Sequence, residues 1–292
     1  VVAILLLRKR MKELGATLER GAFWPSRALL NYSVAMGLAE LLSTLMVRID
    51  IWMLAALMNA KALGLYGVIL SLSKVLRSLR HAFTPLMTPI MSQASLGGEL
   101  DRIRDSFARA TFLISGLSTP IVLVVWIFSE PLLALYGEEF TSGSVPLLVL
   151  CIGTLVHVTA GLASSIVAGS GRSDLLLLNQ ALSIGLNIGL NLWLIPPYGL
   201  LGAAIATALS LALMALLELA FARYIIGDKL LQWWSLEPLF IGALALGIAS
   251  ALSALSPLAT EALSSRVVLL LSFALLIALW IQRRALQIYR RI

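Results

Sequence analysis

Long, unbroken apolar runs recur along the chain at about 33–57, 63–90, 109–128, 145–168, 174–195, 200–222, 237–256 and 266–282. An apolar run of about 20 residues crosses about 30 Å of hydrocarbon as a helix with every backbone group bonded internally. The runs are continuously apolar, whereas a porin-type barrel needs short segments of alternating polarity, so the pattern excludes the barrel. It predicts an all-α polytopic membrane protein with eight transmembrane helices, lettered A to H. Pro196, Pro197 and Gly199 are expected to stop E and force a short reversal into F. Pro120 is expected to kink C, and Pro85 with Pro89 to bend or end B. Val1–Leu7 is too short to span and is followed by Arg8-Lys9-Arg10 without a small-residue cleavage site. It therefore reads as the cytoplasmic end of a preceding helix whose remainder lies upstream, not as a signal peptide.

Composition agrees with this pattern. Of 292 residues 60% are hydrophobic and 13% charged, about half the charged share of a soluble domain. Sixteen of the 22 Lys and Arg residues fall on one side of the predicted spans, in the Arg8–Leu30 linker, the loop near Asp101, the other connections on that side and the C-terminal tail. Two, Lys61 and Arg266, fall on the other side. Basic residues are retained in the cytoplasm, so the linker and the C-terminus are expected there, in the cell membrane. The net charge of +7 is thus explained by topology and gives no footing for nucleic-acid binding. Six of the seven Trp lie near predicted span ends, as interfacial anchors do. Cys151 is the single cysteine and reads as a small core residue, so no intrachain disulfide forms.

Four basic residues remain, all inside spans: Arg48 in A and Lys74, Arg77 and Arg80 in B. Glu40 and Asp50 in A, His81 in B, His157 in D and Glu218 in F are also intramembrane. A charge at mid-bilayer costs at least about 2.5–3.5 kcal/mol, so three cations on one helix must face water, protein or a ligand. Positions 74, 77 and 81, and 77, 80 and 81, follow helical spacing and share one face. Arg77 lies roughly 20 Å below the start of B, in the middle third of the membrane, and Glu40 at a comparable depth. A Glu40 pair with Lys74 or Arg77, or snorkelling of Lys74 and Arg80, is the alternative to a substrate-facing stripe. The three acids cannot match four cations, which favours the stripe. Arg48, Lys74, Arg77 and Arg80 are therefore candidate substrate-binding residues, and Glu40, Asp50 and His81 candidates for ion pairing or coupling. Glu218 reads as reaching the cytoplasmic interface, His157 as a packed core histidine, and Asn187 with Asn191 as interhelical glue. Gly185 and Gly189 form a weak G-x-x-x-G signal for close helix approach.

Other motifs carry little. Ser71-Leu-Ser-Lys74 matches S-x-x-K but lacks the companion K-T-G and lies in an apolar helix. Gly169-Ser-Gly171-Arg172 lacks the third glycine and the strand of a dinucleotide fingerprint. Two distant histidines and one cysteine give no zinc spacing, and no cofactor or metal is called for. The Asn31-Tyr32-Ser33 sequon is predicted on the cytoplasmic face, where glycosylation does not occur.

Two longer stretches carry a family resemblance. Glu130-Pro131-Leu-Leu-Ala-Leu-Tyr-Gly137-Glu-Glu-Phe140, followed by Val145-Pro146-Leu-Leu, resembles a helix-ending segment of polysaccharide exporters. Asn187-x-x-x-Asn191-Leu-Trp-Leu-Ile-Pro196-Pro-Tyr-Gly199-Leu-Leu-Gly202-Ala-Ala-Ile-Ala-Thr207 is similar to the same family over a longer pattern. The family is that of lipid-linked oligosaccharide flippases, in the superfamily that also holds multidrug and toxin extrusion exporters. The resemblance implies a transporter of two six-helix lobes plus two further helices, fourteen in all. Residues 1–31 would then be a helix end and cytoplasmic linker, and 32–230 the second lobe, with a polysaccharide-biosynthesis C-terminal-like part at about 110–250. Residues 231–292 would hold the two extra helices and a cytoplasmic tail, and a first lobe would lie upstream. A and B would border a central cavity.

The implied activity is alternating-access flipping of a polyprenyl-diphosphate-linked oligosaccharide for surface polysaccharide assembly, with the sugar and diphosphate in a wet cationic cavity and the prenyl tail in lipid. Arg48, Lys74, Arg77 and Arg80 would hold the diphosphate or acidic sugars. A cation-coupled multidrug exporter is the alternative within the superfamily, disfavoured by four mid-membrane bases against three acids. A membrane-embedded polysaccharide ligase or polymerase calls for a large outer catalytic loop, and the connection near 130–144 is short. The protein is accordingly expected not to be an enzyme.

Overall fold

The computed structural model describes residues 27–227 and 232–244, together with Leu230, Gly247 and Trp280. Among these residues the secondary structure is helical throughout, with no strand. Seven α-helices follow in order: α1 Arg27–Leu57, α2 Ala60–Leu96, α3 Leu100–Ala134, α4 Ser144–Ala160, α5 Ala163–Gly169, α6 Ser173–Tyr198 and α7 Leu200–Ile226. A 3-10 helix, Glu138–Gly143, precedes α4, and another, Trp233–Leu236, leads into a helix over 237–244. Among the described residues five stretches are long and apolar enough to cross a membrane: Ala60–Ser95, Leu100–Ala134, Glu138–Ala160, Ser173–Tyr198 and Leu200–Ile226. Large apolar side chains stand exposed along them, among them Leu86, Leu117, Leu182, Leu192 and Leu216. Such exposure suits contact with lipid.

The helices fall at the positions of the predicted spans A to F, though α1, at span A, is not among the five stretches, and with four further differences. First, α2 runs through Pro85 and Pro89 to Leu96, and the chain turns at Gly97 and Gly98, the latter at φ 68°. Second, the non-helical residue in α3 is Phe128 (φ −112°, ψ 17°), not a residue beside Pro120. It lies three residues before Pro131, whose ring pushes aside the carbonyl one turn back, so Pro131 sets the kink. Third, α6 passes through Pro196 and Pro197 to Tyr198, and Gly199 makes the reversal at φ 56°, ψ −129°, a conformation open to glycine. Fourth, span D is broken into α4 and α5 at Gly161–Leu162. Helix 237–244 is the start of G; the rest of G, H and Val1–Leu7 lie outside the described residues.

Packing separates the first two helices. α1 lies along α6, and α2 lies along α3, α4 and α5, while α1 and α2 meet only briefly. Two large apolar cores hold the bundle, with a small third one of Met46, Leu211 and Met214. One gathers Leu54, Tyr66, Ile69, Leu76, Leu147, Leu150 and Ile195 near the α1–α2 connection. The other gathers Met91, Ile103, Phe107, Val158, Ile166 and Ala222 toward the opposite end. Polar side chains interrupt the apolar packing at Arg77, Arg80 and His81 of α2, Thr154 and His157 of α4, and Thr207, Ser210 and Glu218 of α7. Cys151 is buried in the first core, as its apolar surroundings in sequence predict.

Candidate functional site

The parting of α1 from α2 leaves a cavity of about 560 Å³. Arg48, Lys74, Arg77, Arg80, Glu40, Asp50 and His81, the seven candidates from the sequence, all line it. Helical spacing brings this about. Lys74, Arg77 and His81 stand on one face of α2, and Glu40 and Arg48 on the side of α1 that α6 does not cover. From the other wall come His157 of α4 and Thr207, Leu211 and Met214 of α7.

The charged groups differ in how they are held. Arg80 is bound on three sides: its Nη2 donates to Glu218 Oε1 at 3.0 Å and to Ser164 Oγ at 3.1 Å, and its Nη1 meets His157 Nε2. Glu218 is 4% exposed and so does not reach the interface as its position in the sequence suggests; it is the buried partner of Arg80. His157 is a packed histidine, as predicted, but one that faces the cavity. The break at Gly161 makes this cluster possible, because a Cβ there would lie 2.8 Å from Arg80 Nε. Glycine at 161 thus leaves room for the guanidinium.

Asp50 is 1% exposed and accepts three hydrogen bonds: from Thr207 Oγ1 at 2.7 Å, Asn191 Nδ2 at 2.8 Å and Tyr66 Oη at 3.3 Å. Asn191 also donates to Asn187 Oδ1 at 3.1 Å. The asparagines of α6 are therefore glue between α6 and α1. Three donors on one buried carboxylate compensate much of its lost hydration.

Among the described residues Arg48, Lys74 and Arg77 have no ion-pair partner, and neither Lys74 nor Arg77 pairs with Glu40. Arg48, Lys74, His81 and Glu40 are exposed in the opening, and the Nε of the partly buried Arg77 has no hydrogen-bond partner. Arg48, Lys74 and Arg77 outnumber the two acids lining the cavity, Glu40 and Asp50, so the space carries a net positive charge, which suits an anionic group able to take bidentate guanidinium contacts. Sequence reasoning missed the part played by Thr207 and by Glu218. Their signal was present: each is a polar residue in an otherwise apolar helix, at depths matching Asp50 and Arg80.

Gly185 and Gly189 do not mediate close approach among the described residues, since a Cβ at either would meet nothing within 4 Å. The close contact instead falls at Gly153 of α4, where a Cβ would lie 2.5 Å from Ala208 Cα of α7.

The fold is shared with known proteins. The chain is 23% identical over 245 residues to the "Probable low-salt glycan biosynthesis flippase Agl15" of Haloferax volcanii, covering 81% of this chain and 51% of that protein. It thus spans about half the length of that relative. Its fold resembles that of a solved MOP superfamily transporter from Pyrococcus furiosus, with a TM-score of 0.53 and 21% identity over 78% of this chain and 52% of the other. It also resembles a multidrug resistance MATE family transporter in an outward-facing conformation, with a TM-score of 0.54 and 20% identity over 82% and 56% of the two chains. Residues 35–193, more than half of the chain, match the MatE family model, and the chain belongs to that family.

Proposed function

We propose that the intact protein flips a polyprenyl-diphosphate-linked oligosaccharide across the cytoplasmic membrane by alternating access, with the described helices forming the second of two lobes. In this reading a first lobe supplies the facing wall, and residues 231–292 add two helices beyond the second lobe. The observation that carries the proposal is the unpaired positive charge of Arg48, Lys74 and Arg77 in one intramembrane cavity. A diphosphate headgroup gains there what it loses on leaving water, while the prenyl tail stays in lipid. The name of the Haloferax relative, a glycan-biosynthesis flippase, supports the same substrate class.

An exporter of cationic drugs needs free acids in the cavity. Glu40 is the one acid exposed there, against Arg48, Lys74 and Arg77, while Asp50 is already bonded to three donors, so that reading is the weaker. The test is flipping of a fluorescent short-chain prenyl diphosphate bearing a disaccharide, by the full-length protein in liposomes. Arg77→Ala and Lys74→Ala should each slow it about tenfold or more, as expected when a charge-assisted contact is lost. Wild-type rates in both variants, at equal protein in the liposomes, would overturn the proposal.

A further inference from the structure

The polar face of α2 continues past the cationic cavity. Positions 74, 77, 81, 84 and 88 follow one another by three and four residues, so Thr84 and Thr88 extend the line of Lys74, Arg77 and His81. Charge gives way to hydroxyl about 6 Å beyond Arg80, and the line runs on for about 12 Å in all. Thr84 and Thr88 line a second chamber of about 240 Å³, which shares Glu40, Ser43, Arg80, His81 and Met214 with the first.

The two chambers differ in chemistry. In the second, Arg80 is the single Lys or Arg among the lining residues, and it is already held by Glu218. The remaining polar lining is largely hydroxyl and amide: Tyr32, Thr84, Thr88, Ser164, Ser165 and Gln180. Several of these hydroxyls use their proton on a backbone carbonyl. Thr84 donates to Arg80 O at 2.9 Å, Thr88 to Thr84 O at 3.0 Å, and Ser164 to Gly161 O at 2.6 Å. Toward the chamber they can only accept. Two further lining groups are buried and unpartnered: Ser165 Oγ, on a residue 1% exposed, and Glu218 Oε2, on a residue 4% exposed. Buried polar atoms are ordinarily satisfied, so these two mark a place for a hydrogen-bonding guest.

We infer that the second chamber is a subsite for uncharged sugar residues, with the diphosphate of the same molecule held in the cationic chamber beside it. Sugar hydroxyls are donors, and this wall offers acceptors: threonine and serine oxygens, a glutamine amide and a free carboxylate oxygen. A second anion would face Glu40 and Glu218, and a prenyl chain would leave the acceptors unpaired; neither fits as well. The inference rests on the flippase reading but concerns a different wall.

Its test is equilibrium binding to the purified full-length protein of two probes: a short prenyl diphosphate without sugar, and the same lipid bearing di-N-acetylchitobiose. Wild-type protein should bind the sugar-bearing probe more tightly. Thr84→Val with Thr88→Val, and separately Gln180→Leu, should weaken the sugar-bearing probe about tenfold and leave the sugar-free probe within about twofold, a difference that two lost hydrogen bonds supply. Unchanged sugar-free binding also reports that the variants are folded. An equal effect on both probes, no effect on either, or no sugar preference in the wild type would overturn the inference and leave the chamber a water-filled vestibule. Arg77→Ala reads the parent proposal separately: unchanged diphosphate binding there removes the cationic half, while a sugar-selective loss in the threonine variant still upholds the sugar chamber.

Discussion

Arg80 Nη2 lies 3.0 Å from Glu218 Oε1, joining α2 to α7 through side chains that are 20% and 5% exposed. The pair sits at the boundary between the two chambers, and its other contacts reach α4 through His157 and α5 through Ser164. Four helices thus converge on one guanidinium. Removing one partner of a buried pair costs about 3–5 kcal/mol, because the other charge is left stranded, whereas removing both can be nearly neutral. Arg80→Met and Glu218→Leu should therefore each lower thermal stability in detergent markedly, and the double variant should recover most of the loss. Additive losses would mean that the two groups act independently.

Asp50 is surrounded by donors, and this predicts an asymmetry between substitutions. Asp50→Asn keeps the shape but points an amide N–H₂ at Tyr66, Thr207 or Asn191, so donor faces donor. The expected cost is about 1–3 kcal/mol, measured as a shift in denaturation midpoint. Adding Tyr66→Phe, which removes one donor, should cost less in the Asp50→Asn background than in the wild type. Equal costs in both backgrounds would show that Tyr66 does not belong to the Asp50 network.

Gly153 and the pair Gly185 and Gly189 should behave oppositely. At Gly153 a Cβ would meet the Ala208 backbone at 2.5 Å, so Gly153→Ala must push α4 from α7 and should cost about 1–3 kcal/mol. At Gly185 and Gly189 nothing lies within 4 Å, so alanine should be neutral or stabilising by up to about 1 kcal/mol. Thermal stability of the three variants in one detergent decides this. A large loss at Gly185 would point to a contact made with residues outside the described ones.

The charge reading of the cavity makes a prediction about sign. Lys74→Glu should weaken binding of a prenyl diphosphate far more than Lys74→Gln, and Glu40→Gln should strengthen it a few-fold. Binding titrations at two salt concentrations check both signs, since the effect of an exposed charge shrinks as salt rises. Tighter binding in Lys74→Glu would be incompatible with an anionic ligand.

Much of this molecule was legible in its sequence, for a physical reason. A helix that crosses hydrocarbon must be apolar over its whole length, so spans A to F stood out before any packing was known. Within those spans each exception, Asp50, Lys74, Arg77 and Arg80 among them, is too costly to be accidental. Period alone put Lys74, Arg77 and His81 on one face. Sequence could not say which charge meets which, because that depends on how helices distant along the chain are juxtaposed. Glu218 follows Arg80 by 138 residues, and only the packing of α7 beside α2 makes it a partner rather than an interfacial acid. Nor could it choose between Pro131 and Pro120 as the site of the kink, since both rings bring the same local clash, or place the break at Gly161, where Arg80 needs room. What the sequence determined by itself was a set of membrane helices with a polar stripe, because local solvation dictates both. The tertiary structure decided which of those polar groups are bonded to one another and which are left facing an open cavity, because pairing is a property of neighbours in space.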